Sequence, residues 1–266
     1  MAECWARCLG GCKGKISGEH IVTESLWKGD RLFVKGLQWC RETGKNISVR
    51  NFTSNILCQV HNSMLSNIGV DDGGSMAFKT LRQAGEVSAQ RIANLKVGFR
   101  TGRFDICEYD INGLLLERWF LKTLINMELA GDQGLPIGPY LANQERPHSE
   151  LVEIAFGLRQ FPTDSGLYFL ADFAHEGQFE ERIRYAAHLR VSENGTYVAA
   201  GEFAFHGFQF MLSLEPGGLP KTIQRLGEKD GIGSTLYLLP HPEILDLRIN
   251  ELPSQKINVG WSAQSK

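Results

Sequence analysis

Ser17-Gly18-Glu19-His20-Ile21-Val22 and Asn55-Ile56-Leu57-Cys58-Gln59-Val60-His61-Asn62 are the two stretches on which the fold turns. The second runs from an apolar segment into a Cys-x2-His pair, and two intervening residues let one turn aim a thiolate and an imidazole at a single ion. The first ends an extended, polar segment on an acid-histidine dipeptide. Upstream, Cys4, Cys8 and Cys12 recur at every fourth position. With Cys40 and Cys58 they place five of the six cysteines in the first 58 residues, the sixth being Cys107. In a reducing compartment such clustering points to metal binding or catalysis more than to disulfides. Three cysteines in nine residues, beside glycines, also argue against thiols buried as small apolar groups.

A thiol pair in Cys8-Leu9-Gly10-Gly11-Cys12, then Glu19-His20-Ile21, then Cys58-x2-His61-Asn62 at the start of a helix resembles the ββα-metal nucleases of the HNH family. The resemblance covers residues 1–70. It implies an α+β chain that opens with a zinc-stapled ββα-metal module and hydrolyses phosphodiester bonds in nucleic acid, with DNA the first expectation and RNA open. It further implies that His20 is the general base. Glu19 and Asn62, a carboxylate and an amide oxygen, are hard donors suited to a catalytic Mg2+ or Mn2+. Asn55, or less readily Asn51, would orient the base. Soft donors separate from this set: Cys8, Cys12, Cys58 and His61 would close a tetrahedral, structural Zn2+ site, with Cys4 the alternative partner. The family's first pair is usually Cys-x2-Cys, whereas every candidate pair here is Cys-x3-Cys. His61 stands where a fourth cysteine is usual, and Asn62 where many relatives carry His. A different class of reading is a zinc ribbon that binds nucleic acid without cutting it, or a protein-interaction module.

The chemistry fits those roles. An imidazole is largely neutral at pH 7 and can take a proton from water, which contributes roughly 10²–10⁴ in rate. Phosphodiester hydrolysis also needs positive charge on the phosphoryl and leaving oxygens.

Working outward, residues 1–70 are rich in Gly, Cys and polar side chains, with short extended stretches at 15–23, 31–34 and 47–51 and no long amphipathic period. That is the pattern of a small domain that needs a metal. Asp71-Asp72-Gly73-Gly74 reads as a turn, and 75–95 as an amphipathic helix carrying Phe78, Leu81, Ala84, Ile92 and Leu95 at helical spacing. Residues 103–110 alternate as a strand. The run 114–129 is apolar on nearly every face and, at sixteen residues, reads as a core helix rather than a membrane span. Together 71–133 form a helical segment, and 134–150, with its prolines and glycines, a linker.

From 151 to 266 the pattern is β-rich, with strands expected at 166–173, 182–189, 196–205, 208–214, 235–239, 245–249 and 257–261. Phe203, Phe205, Phe208 and Phe210 alternate as core residues do. His148, His175, His188, His206 and His241 are scattered without metal spacing.

Charge is uneven. Residues 1–105 carry 15 Lys+Arg against 9 Asp+Glu, and 106–266 carry 13 against 21. The first part can approach a polyanion and the acidic second part disfavours direct phosphate contact, leaving it a protein partner or self-association. With 42% hydrophobic residues in 266, the chain buries a sizeable core and is not disordered. No apolar run of about 18 residues and no basic-then-apolar leader are present, so no membrane contact is expected and the cytoplasm is the expected compartment.

Overall fold

The computed structural model describes residues 3–96, 106–131, 135–138, 149–172, 183–193, 195–205, 208–215, 240–249 and 252–262. Among them the chain is mixed α+β. In order it forms β1 (Ile16–His20), β2 (Arg31–Val34), β3 (Lys45–Ser48), β4 (Thr53–Cys58), α1 (Gln59–Asn67), α2 (Val70–Lys96), β5 (Cys107–Asn112), α3 (Gly113–Gly131) and α4 (Ser149–Ala155). These are followed by β6 (Gly166–Asp172), β7 (Arg184–Ser192), β8 (Gly195–Phe205), β9 (Phe208–Ser213), β10 (Ile244–Ile249) and β11 (Leu252–Gly260). Short 3-10 turns lie at Arg7–Leu9, Glu24–Leu26, Gln38–Cys40 and Val49–Asn51.

The chain divides into two compact units. One comprises Met1–Ser75, Glu117–Phe161 and His188–Ala199; the other Met76–Leu116, Pro162–Ala187 and Ala200–Lys266. Each is assembled from separated stretches, unlike a sequential division into 1–70, 71–133 and 151–266.

In the first unit β1 pairs antiparallel with β4, Ile16 opposite Cys58 and His20 opposite Thr53, with a bulge after Ser17. The helix α1 begins directly after Cys58. This strand–strand–helix order sets the two decisive stretches side by side. β2 and β3 form a separate antiparallel ribbon. The first-unit core includes Trp5, Leu57, Leu65, Trp119, Phe120 and Leu121, all buried.

The Asp71-Asp72-Gly73-Gly74 stretch is not a turn. It is the first turn of α2, where two carboxylates favour the helix N-terminus. Gly74 lies against the Trp119 indole, where a Cβ would collide with the ring, so the glycine marks close packing.

In the second unit β6 and the Ala200–Phe205 part of β8 both pair antiparallel with β9. Phe169, Phe210 and Phe203 occupy matched positions across three strands and Phe205 stacks on Phe210, so the alternating phenylalanines are core. The third sheet departs from the antiparallel expectation. β11 pairs antiparallel with β10 but parallel with β5. The segment expected as a strand at 235–239 and most of the linker lie outside the described residues. Ile137, within the linker, makes an isolated parallel bridge to Val198, and α4 starts at its end. No helix among the described residues is long and apolar enough to cross a membrane.

Candidate metal centre

Cys4, Cys12, Cys58 and His61 converge, their ligand atoms all within 4.8 Å of one another. The local sequence explains how. Cys58 is the N-cap of α1 and His61 lies three residues on, so the two share the face of its first turn. The Trp5 amide donates to the Ile56 carbonyl at 2.9 Å, fastening the N-terminal segment along β4. After the turn at Arg7–Leu9, Gly10 and Gly11 both take positive φ, 72° and 68°, a conformation open to glycine at little strain. The chain reverses there and returns Cys12 to Cys4. Cys8 sits at the tip of that loop, exposed and outside the set. The Cys8–Cys12 pair expected from the sequence is therefore corrected to Cys4–Cys12, because the reversal brings together residues on either side of the loop, not its tip.

The four atoms fit a metal ion such as zinc. With Zn–S about 2.3 Å and Zn–N about 2.0–2.1 Å at tetrahedral angles, each sulfur should lie about 3.5 Å from the nitrogen. His61 Nδ1 is 3.3 Å from Cys4 Sγ, 3.3 Å from Cys58 Sγ and 3.6 Å from Cys12 Sγ. The ring is fixed by a hydrogen bond to the Gly10 backbone and an edge contact with Phe156 at 5.7 Å, the outer support metal-bound imidazoles use. Burial lowers the His61 pKa despite that hydrogen bond, favouring the neutral, ligating form. Burial pushes the Cys4 thiol up to about 12. Cys58 is also pushed up by burial, but the His61 and Lys13 backbone and the Cys4 and Cys12 thiols outweigh this and lower it. Cys12, like Cys4, is raised, so Cys58 is the thiol of the three that loses its proton most readily.

The hard donors are arranged otherwise. Successive strand residues face opposite sides, and Glu19 points inward, 4% exposed, where its carboxylate pairs with the ammonium of Lys122, itself 2% exposed. Lys122 Nζ also meets Asp71 Oδ1 at 2.6 Å, and Asp71 accepts from Thr23 Oγ1, which accepts from Trp119 Nε1. Burial depresses the Lys122 pKa, but Glu19 and Asp71 reverse this and hold it above the usual lysine range. Asn62 Nδ2 donates to Ser17 Oγ at 3.2 Å. The fit for Mg2+ or Mn2+ therefore fails at Glu19, whose carboxylate is buried against an ammonium. The expected pairing of Glu19 with Asn62 on a catalytic cation is corrected accordingly.

His20 closes the far end of β1. It lies four positions from Ile16, roughly 13 Å along the strand from the cysteine end. Its ring is one-third exposed, with Nε2 covered, lacking a hydrogen-bond partner and 3.6 Å from Glu24 Oε2. Its carbonyl accepts from Asn126 Nδ2 at 3.1 Å. Asn55 is exposed and two residues from Thr53, the cross-strand partner of His20, which puts Asn55 and His20 on one face. No hydrogen bond joins them among the described residues. Asn51 is exposed in the turn after β3.

The chain matches no family model, no curated protein and no solved structure with which it was compared. Its chemistry is read from its own residues. Lys122, Asp71 and Glu24 were missed in the sequence. The signal for the first was a lysine inside an otherwise apolar helix, where burial of an ammonium demands a carboxylate partner.

Proposed function

We propose that residues 3–67 form a zinc-stapled ββα module of HNH type that hydrolyses phosphodiester bonds in nucleic acid, DNA first, with His20 as the general base. The observation that carries this is the Cys4/Cys12/Cys58/His61 set at the junction of β4 and α1, with the His20-bearing strand paired to β4. The ion would be structural, tying the N-terminal loop to the strand pair and helix in a module whose own core is small. A reducing compartment such as the cytoplasm suits a centre of three thiols.

In this reading Glu24, half exposed and beside His20 Nε2, turns aside to solvent and the imidazole takes a proton from water. The water oxygen bonds phosphorus, the bond to the leaving sugar oxygen breaks, and that oxygen takes a proton from solvent water while the imidazolium returns its own to solvent. Arg50, 85% exposed and 3.4 Å from Glu24, is placed to meet the phosphate charge.

The Glu19–Lys122 pair favours a second reading, a zinc-stapled module that binds nucleic acid without cutting it, since the pair leaves Glu19 no cation to hold. One experiment separates the two. Purified protein is incubated with supercoiled plasmid and single-stranded oligonucleotide in Mg2+ and in Mn2+, beside His20→Ala. Cleavage by wild type that falls at least 100-fold in His20→Ala, with zinc and circular dichroism unchanged, supports the hydrolase. Equal cleavage by both proteins contradicts it, and binding without cleavage establishes the second reading.

A further inference from the structure

Between β1 and β4 the chain inserts residues 27–50, which carry six Lys or Arg against two Asp or Glu, with Trp27, Phe33 and Trp39 among them. Its β2–β3 ribbon has no buried residue on either strand. Arg31 pairs with Ser48 and Phe33 with Asn46, and alternation places these four on one face. Phe33 is 67% exposed, yet it is not loose. The far end of its ring, Cζ with Cε1 and Cε2, abuts Gly44, where a Cβ would collide with it, while most of the side chain stays open to solvent. Trp39, 40% exposed, is backed by Lys45, whose ammonium lies 5.7 Å from the indole centroid. At the base of the ribbon is a cavity of about 420 Å3 lined by Glu24, Trp27, Asp30, Ser48 and Arg50. Glu24 connects it to His20, and the Trp27 Nε1 donor has no hydrogen-bond partner among the described residues.

A ribbon with no core of its own is marginal alone, and Phe33 and Trp39 leave a large part of their aromatic surface to solvent there. We propose that residues 27–50 are a grip for single-stranded nucleic acid, in which Phe33 and Trp39 stack unpaired bases, Arg31, Lys35, Arg41 and Lys45 meet phosphates, and the cavity seats the nucleotide beside His20. Charge complementarity selects a polyanion, and exposed aromatic rings select unpaired bases, because a duplex keeps its bases stacked on one another. The grip deepens the nucleic-acid reading above and rests on it, but does not require that the module cuts.

The test is therefore run on full-length His20→Ala, which removes cleavage. Fluorescence anisotropy with a labelled 15-nucleotide oligo-dT, an oligo-U and a 15-base-pair duplex compares this protein with the same chain bearing Phe33→Leu, Trp39→Leu or both, zinc content being checked in each. Both single strands should bind alike and more tightly than the duplex. Each leucine should weaken single-strand binding about tenfold, a stacked base being worth roughly 1–3 kcal/mol by substitution. Arg31→Ala and Arg41→Ala should each flatten the logarithmic salt slope by about 0.7. In the parent, photocrosslinking with 5-iodouracil oligonucleotides should mark Phe33 or Trp39 whether or not the variants fold. No single-strand binding, unchanged affinity in the double leucine variant, preference for the duplex, or crosslinks confined elsewhere would overturn the proposal. Single-strand binding by a wild type that does not cut counts against the hydrolase alone.

Discussion

Around β4 and α1, Trp5, Ile56, Leu57 and Leu65 are the buried apolar groups, and the side chains that gather at the junction are three thiols and an imidazole. Across β6, β9 and β8, Phe169, Phe210 and Phe203 stand at matched positions, with Phe169 5.3 Å and Phe205 5.6 Å from Phe210 between centroids. The contrast is between a region where a ring of metal-ligating side chains gathers beside Trp5, Leu57, Leu65 and Phe156, so that one ion could add to its cohesion, and one where aromatic burial suffices. A structural zinc contributes roughly 10–16 kcal/mol in small peptides, whereas each buried phenylalanine contributes about 3–5 kcal/mol when compared with Ala. The first would be concentrated in one removable ion; the second is spread over a sheet.

The largest break in that comparison should come from the metal. Chelation, or Cys58→Ser, is expected to expose β1, β4 and α1 to amide hydrogen exchange while β8 and β9 keep their protection. Loss of protection everywhere at once would show that the two regions do not differ as described.

Next in size is the buried ion pair. Lys122→Ala strips the buried Glu19 carboxyl, whose pKa burial already raises, of its ammonium and should cost about 3–5 kcal/mol in urea unfolding, while Lys122→Met with Glu19→Gln should cost much less. Because the folded Lys122 pKa is raised, its stabilisation is complete below the ordinary value of 10.5 and is lost as pH rises through the higher folded value. Wild type and Lys122→Ala should therefore converge in stability above about pH 10.5, and a gap that widens with alkali would contradict the assignment.

Phe210→Ala should cost about 3–5 kcal/mol, felt in the sheet and without loss of metal. Metal loss in that variant would remove the distinction from the other side.

Much of this was legible in the sequence because period and burial agree. The phenylalanines at 203, 205, 208 and 210 alternate and are core, and the run from Leu114 is buried on most sides, as its composition implies. Cys58 and His61 were legible because their spacing is local to one helical turn. The choice among Cys4, Cys8 and Cys12 was not, since equal spacing says nothing about where the chain reverses; Gly10 and Gly11 decide that through their backbone. Glu19 was misread for a related reason. Its neighbour in sequence is His20, but strand alternation turns the two apart, and its partner Lys122 lies 103 positions away. Gly73 and Gly74 looked like a turn because glycine serves both turns and close helix packing, and only the Trp119 contact tells them apart.

The central claim is that one ion is held by Cys4, Cys12, Cys58 and His61. Elemental analysis of purified wild type, Cys4→Ser, Cys8→Ser and Cys58→Ser tests it directly. The account predicts one equivalent of zinc in wild type and Cys8→Ser and its loss in Cys4→Ser and Cys58→Ser. Wild type without zinc, or zinc kept by Cys4→Ser and lost by Cys8→Ser, would contradict it.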